Sequence, residues 1–233
     1  SSVASIVAAA AGVPVVKHGN RGASSASGAS DVLSALGLNL DITPDRVAEV
    51  LAETGITFAF AALFHPGFRH AGPTRKELGI STLFNILGPL CNPARPNASA
   101  VGVASLERVP LVVGVFQTRG ATALVYRGDD GIDKLTTTGH SHIWEVSRGF
   151  VTEHDLDPAD LGIPRADIQS LLGADAAHNA SVARAVLVGE PGPVRDIVVL
   201  NAAAALLAYR GISTVRELLE QLEQPLADAK EAI

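Results

Sequence analysis

Methionine is missing from these 233 residues, and cysteine and tryptophan occur once each, as Cys91 and Trp144. A single cysteine can close no intrachain disulfide and build no cysteine zinc site, which fits a reducing compartment, the cytoplasm. Aromatic residues make up only 4% of the chain, so alanine and the branched aliphatics have to fill the core, with helices packed closely. No apolar run reaches the roughly 18–20 residues that a membrane-crossing helix needs. Lys and Arg number 18 against 24 Asp and Glu, a net charge of −6, and no basic run is longer than two residues. That balance speaks against nucleic acid as the main partner, because phosphate backbones call for a basic groove. The first residues carry no basic n-region and no signal-cleavage pattern, so nothing points to secretion. The chain also opens inside an apolar helical stretch, SSVASIVAAAAG, and further residues are expected upstream of it.

With 47% hydrophobic and 18% charged residues, the chain is an ordinary globular sequence, long enough for one large domain or two small ones. Residues 1–11 predict a buried helix ended by Gly12 and Pro14, and residues 13–16 a short buried strand. A helix is expected over 31–36, closed by Gly37. Thr43 and Pro44 start another over 45–53 that Gly55 stops, and residues 56–60 form a strand. Residues 65–90 read as helical, broken at Gly72-Pro73, Gly79 and Gly88-Pro89. Strand 98–104, helix 106–119 and strand 121–127 follow, and then a tight acidic turn over 128–133. Residues 142–146 and 150–154 look like a hairpin with Trp144 in the core. Helices are expected around 166–172 and over 174–188, 193–209 and 215–230. The alternation predicts an α/β fold with a mostly parallel central sheet flanked by helices.

The stretch VKHGNRGASSASGASD, residues 16–31, concentrates the chemistry. Lys17 and Arg21 supply two cations, Gly19, Gly22 and Gly28 let backbone N–H groups come close to a ligand, and Ser24, Ser25 and Ser27 supply hydroxyls. A phosphorylated ligand needs that set, with the start of a helix beyond adding partial positive charge. A plain polar surface loop has the same composition. A second dense block, PTRKELGISTLFNILGPLCNPARP, residues 73–96, carries Arg75, whose planar guanidinium can grip a carboxylate with two charge-assisted hydrogen bonds. A solvated helix arginine beside Lys76 is the plain alternative. The turn GDDGIDKLTTTG, residues 128–139, places three aspartates at a strand end, as either a Mg²⁺ site or an acidic solvent turn. His140 and His142 have the spacing of a metal pair on a strand, but no third ligand lies nearby.

In their order these blocks closely resemble the anthranilate phosphoribosyltransferases of tryptophan biosynthesis, over nearly the whole chain. The resemblance implies transfer of a phosphoribosyl group from phosphoribosyl pyrophosphate to the amine of anthranilate, releasing pyrophosphate, the second step of that pathway. It implies a donor site at Ser1, Ser2, Lys17, His18, Gly19, Asn20, Arg21, Gly22, Ala23, Ser24, Ser25 and Ala29. Asn20 and Arg75 would hold anthranilate, with His65, Pro66, Phe68 and His70 flanking its route. Mg²⁺ would sit on Ser1 and Asp133. No residue would act as a covalent nucleophile, because the chemistry asks for positioning and charge neutralisation.

The family fold is a nucleoside-phosphorylase-like catalytic domain, here 1–233, with a small helical domain only partly present. Segment 65–90 would pack on helices that precede this chain and help form a homodimer, and without them Phe84, Ile86 and Leu87 would be exposed. The family's Gly-Thr-Gly-Gly-Asp loop is expected about ten residues upstream. Ser2 stands where the family has threonine, and Lys134 stands where the family has a metal-binding glutamate. That implies a weaker Mg²⁺ site or a lysine contact to pyrophosphate. The other readings are a pyrimidine-nucleoside-phosphorylase-like enzyme, a nucleic-acid-binding paralogue and an inactive core fragment.

Overall fold

The computed structural model describes residues 1–20, 27–80, 82–211 and 227–232. Helix α1 (Ser2–Ala10) buries Ala4, Val7 and Ala8 and leads into strand β1 (Val15–Gly19). The strand starts two residues later than expected and runs through Lys17, His18 and Gly19, which the sequence had assigned to a loop. The reason is a ladder partner. Strand β2 (Ile56–Phe60) pairs with it in parallel, Lys17 opposite Phe58 and Gly19 opposite Phe60. Between them lie α2 (Ala29–Ala35) and α3 (Pro44–Thr54). Thr43 caps α3 by accepting from the Arg46 N–H at 3.3 Å. Gly55, at φ +76°, ends it in the left-handed conformation that glycine adopts without strain, and the chain turns straight into β2.

Residues 61–90 are helical in short pieces: α4 (Ala61–Phe64), a 3₁₀ turn (Pro66–Ala71), α5 (Gly72–Leu78) and α6 (Phe84–Leu90). The expected break at Gly88-Pro89 does not occur. Pro89 lies inside the last turn of α6, which runs on to Leu90. Leu63, Phe68, Leu78, Ile80 and Leu83 are the exposed apolar residues here. Phe84, Ile86 and Leu87, expected to be exposed, are half-buried.

A second sheet has the order β3 (Ala98–Gly102), β4 (Thr122–Gly128), β5 (Ser141–Ser147), β6 (Phe150–Leu156). The β3–β4 pair is parallel, and β5 and β6 continue antiparallel. The hairpin turns at Arg148 and Gly149, both at positive φ, the two-residue turn whose twist suits flanking strands. Period-two alternation divides the sheet between two layers. Ala123, Val125, Trp144 and Val146 face α7 (Val109–Arg119). Leu124, Tyr126 and Ile143 face the core shared with α1 and α9 (Pro193–Arg210).

Helix α9 is buried almost all round, and its alanines let α1 come close. Truncating its fully buried Leu200 to alanine would cost about 2–5 kcal/mol. Helix α8 (Ala176–Leu187) starts at Asp175, which accepts from the His178 N–H at 2.8 Å. The helix expected around 166–172 is only a 3₁₀ turn (Ile168–Leu171). Most of the helix expected over 215–230 lies outside the described residues, and 227–231 are helical.

Candidate functional site

Lys17 and His18 are neighbours in β1, so their side chains leave opposite faces of the strand. Each heads a separate group. On the Lys17 side, the ammonium reaches the His18 carbonyl at 3.3 Å. Loss of water pushes its pKa down, the Asp133 carboxylate opposes that, and Lys134 adds to it. Ser1 lies close to Lys134, Lys17 and Asp133. Asp133 and Lys134 form an ion pair with each other. Ser1, Lys17, Asp133 and Lys134 therefore converge, although three segments supply them.

Two contacts fix where Asp133 and Lys134 stand. Gly102 packs directly on Asp133: a Cβ there would fall 1.7 Å from the Asp133 carbonyl oxygen. Asn201 of α9, itself buried, takes both backbone groups of the next residue. Its Oδ1 accepts from the Leu135 N–H at 3.1 Å, and its Nδ2 donates to the Leu135 carbonyl at 2.8 Å. Asp133 also raises the pKa of buried Tyr126, after loss of water as the larger cause. Asp130, itself exposed, accepts from the Thr136 and Thr138 hydroxyls at 2.6 and 2.7 Å. The acidic turn thus spends one aspartate on its own shape.

On the other face, His18 Nδ1 meets the Gly88 carbonyl at 2.8 Å, so Nδ1 carries the proton and Nε2 is left to accept. His65 Nε2 stands 3.2 Å from that nitrogen and 2.9 Å from the Cys91 carbonyl. Burial holds the His18 pKa below the usual imidazole range; the Gly88 carbonyl opposes, and His65 and Lys17 add to the lowering. The rings then continue as a chain. His65 stacks on Phe68 at 5.0 Å, Phe68 meets Phe84 edge-on at 5.2 Å, and the Arg75 guanidinium lies over Phe84 at 5.2 Å. Among the described residues no carboxylate forms an ion pair with Arg75. Asn92 adds a further tie, donating to the Val16 carbonyl at 2.9 Å.

The other expected residues are placed more simply. Ser2 is the first residue of α1, Gly19 ends β1, and Asn20 follows it, exposed. Ala29 opens α2. That helix start holds a negative group of its own, because the Asp31 carboxylate accepts from the Gly28 N–H at 2.8 Å. The positive helix end expected at this point is therefore offset. Arg21, Gly22, Ala23, Ser24 and Ser25 lie outside the described residues. Pro66 and His70 belong to the 3₁₀ turn beside the ring chain. In the hairpin His140 pairs with Asp155 at 2.6 Å, and His142 with Glu153 at 2.9 Å. Trp144 is 9% exposed in the α7 core. Sequence reasoning missed Asn201, though an asparagine in the apolar run IVVLNAAAALLA was its signal, and it missed the His18–His65 contact, for which there was none.

The residues at Asp133 do not fit a magnesium ion held by the protein. Asp133 is the one carboxylate in the group, an ammonium already sits on it, and a second lysine stands close. Among the described residues no group of three His, Cys, Asp or Glu side chains could hold a metal. The same residues do fit an anion.

A family model described as the glycosyl transferase family, a/b domain, matches residues 1–232. The anthranilate phosphoribosyltransferase of Leifsonia xyli subsp. xyli is 69% identical over the whole chain, which spans 68% of that relative. The chain belongs to the anthranilate phosphoribosyltransferase family. The family member from Clavibacter michiganensis subsp. michiganensis is 80% identical over 90% of this chain, and the match spans 60% of that relative's length. A solved structure, anthranilate phosphoribosyltransferase from Saccharomyces cerevisiae in complex with PRPP and Mg, covers the whole chain with a TM-score of 0.89 at 26% identity, over 64% of its own length. The family's α/β architecture is the one described above. Among the described residues no helix is long and apolar enough to cross a membrane.

Proposed function

We propose that the chain provides the catalytic domain of an anthranilate phosphoribosyltransferase, transferring phosphoribosyl from phosphoribosyl pyrophosphate (PRPP) to anthranilate. One observation carries the reading. The C-terminal end of β1 has an ammonium group on one face, Lys17 beside Asp133 and Lys134, and on the other a ring chain that ends in the guanidinium of Arg75, which has no carboxylate partner among the described residues. A doubly phosphorylated donor and a planar carboxylate acceptor ask for those two groups. The Clavibacter and Leifsonia relatives carry the enzyme's name, and the yeast structure names PRPP.

In this reading Lys17 neutralises donor phosphate with the Ser1 and Ser2 hydroxyls, and Arg21, Gly22, Ala23, Ser24 and Ser25 are further candidates for donor binding. Asn20 stands between donor and acceptor. Arg75 grips the anthranilate carboxylate from its place on Phe84, which fixes the direction of the amine. As pyrophosphate departs, positive charge builds on the sugar. His18 suits that moment: burial keeps its ring neutral, so no imidazolium opposes the developing cation. The amine attacks the anomeric carbon, the bond to pyrophosphate breaks with its electron pair, and the proton lost from the amine leaves with solvent or product. Positioning supplies most of the rate.

Magnesium is named with PRPP in the yeast structure, and bound to the donor it would neutralise pyrophosphate charge. A cytoplasmic place and a homodimer of the longer protein belong to the same proposal. The experiment is an assay of anthranilate fluorescence with PRPP present, on this chain and on a version carrying a relative's upstream segment. Loss of fluorescence matched by pyrophosphate release supports the reading. No turnover by either, together with no binding of either substrate, overturns it.

A further inference from the structure

Two ammonium groups, Lys17 and Lys134, stand around the single carboxylate of Asp133. The arrangement carries excess positive charge before any ligand arrives. The lysine that ion-pairs with Asp133 is 38% exposed and its carboxylate partner 57%, so both face an opening. Asp130, three residues earlier in the same turn, is held in place by the Thr136 and Thr138 hydroxyls. The backbone is fixed on both sides: Gly102 lies against Asp133, and Asn201 clamps Leu135 by its N–H and its carbonyl. Lys134 therefore projects from a rigid base, as a binding group should.

We propose that Lys134 is a donor-binding residue whose ammonium contacts the pyrophosphate oxygens, so that the site holds this anion without a divalent cation. The proposal rests on the functional reading above and deepens it. Asp133 has the role of positioning residue. Its carboxylate holds the Lys134 ammonium in place until an anion arrives, and it keeps two like charges from repelling each other in the empty site. A multiply charged pyrophosphate group offers oxygens to both lysines at once, and each such contact is a charge-assisted hydrogen bond of the strong kind.

The test is calorimetric titration of the whole chain with inorganic pyrophosphate and with PRPP, in EDTA and again in excess Mg²⁺. The proteins are the parent, Lys134→Gln and Lys134→Glu, with thermal unfolding run on each as a control for folding. The parent binds both ligands in EDTA, and Lys134→Gln weakens that binding about tenfold or more. Lys134→Glu abolishes binding in EDTA and recovers it only with Mg²⁺. Parent binding that requires Mg²⁺, or equal affinities of parent and Lys134→Gln in EDTA, overturns the proposal while PRPP binding in Mg²⁺ leaves the functional reading standing. Failure of the parent to bind PRPP or pyrophosphate under either condition overturns the proposal, and the same failure in the version carrying a relative's upstream segment overturns the functional reading as well.

Discussion

His18 and His65 face each other through their Nε2 atoms, 3.2 Å apart, although 47 positions separate them in sequence. The contact joins the end of β1 to the segment that carries Arg75. It works in one proton arrangement: His18 Nδ1–H donates to Gly88, and His65 Nε2–H is shared between His18 and the Cys91 carbonyl. Two rings that each already hold a carbonyl are hard to turn. The pair acts as a strut between the place where the donor is expected and the place where the acceptor is expected.

That strut makes stability depend on acid. The His18 pKa is lowered by burial in the folded chain, so below about pH 6.5, the ordinary imidazole value, the unfolded chain takes up a proton that the folded one refuses. Stability from this group is complete above that pH and falls as pH drops through the folded pKa. Urea unfolding at pH 7.5 and 5.5 should show a smaller acid loss in His18→Asn than in the parent. An equal loss in both proteins would contradict the assignment.

Asn201 gives a second prediction. Replacing it with alanine leaves the Leu135 N–H and carbonyl unpaired inside the protein, and it removes the bond to the Ile197 carbonyl at 2.8 Å. Each stranded buried group costs about 1–3 kcal/mol. Asn201→Ala should lose about 2–4 kcal/mol in urea unfolding and should also weaken pyrophosphate binding, because Lys134 loses its base. A loss of stability with unchanged binding would separate Asn201 from the site.

Gly102 tests the same base from the other side. An alanine Cβ would overlap the Asp133 carbonyl, and backbone cannot swing away as a flexible side chain can. Gly102→Ala should cost about 1–3 kcal/mol, in the range for overpacking, and should lower pyrophosphate affinity. Gly114 has open space around its Cβ position, so Gly114→Ala is the control and should leave binding unchanged. Equal affinity in all three proteins would refute the close packing as a determinant.

Much of this was legible beforehand. Thr43, Pro44 and Gly55 marked α3 from sequence, because caps and left-handed glycines are local effects. The hairpin showed in its alternation, Lys17 stood out by its charge at a strand end, and the family resemblance singled out Arg75 and Asp133. The rest depended on distant partners. Lys17, His18 and Gly19 became strand because β2 pairs with them from 41 or so positions away, which no local propensity encodes. The rings of Phe68 and Phe84 gained meaning only when the 3₁₀ turn over 66–71 and helix α6 brought them together. Asn201 reaches across 66 positions and could be suspected only as a polar residue in an apolar run.

Arg75 offers the acceptor's test. A guanidinium lying on an aromatic face keeps its N–H edges for a ligand. Arg75→Ala should weaken anthranilate binding about 10- to 100-fold, the size expected for hydrogen bonds between charged groups. Arg75→Lys should recover only part of the loss, and PRPP affinity should stay within about twofold. Titration by anthranilate fluorescence reads the outcome. Unchanged anthranilate affinity in Arg75→Ala would mean that the acceptor's carboxylate is held elsewhere.

The donor site is the central claim, and Lys17 decides it. Calorimetric titration of PRPP into the parent and into Lys17→Gln, with Arg75→Ala alongside, measures it directly. The account predicts saturable binding by the parent, a loss of at least about tenfold in Lys17→Gln, and no loss in Arg75→Ala. Equal PRPP affinity in the parent and Lys17→Gln would contradict it.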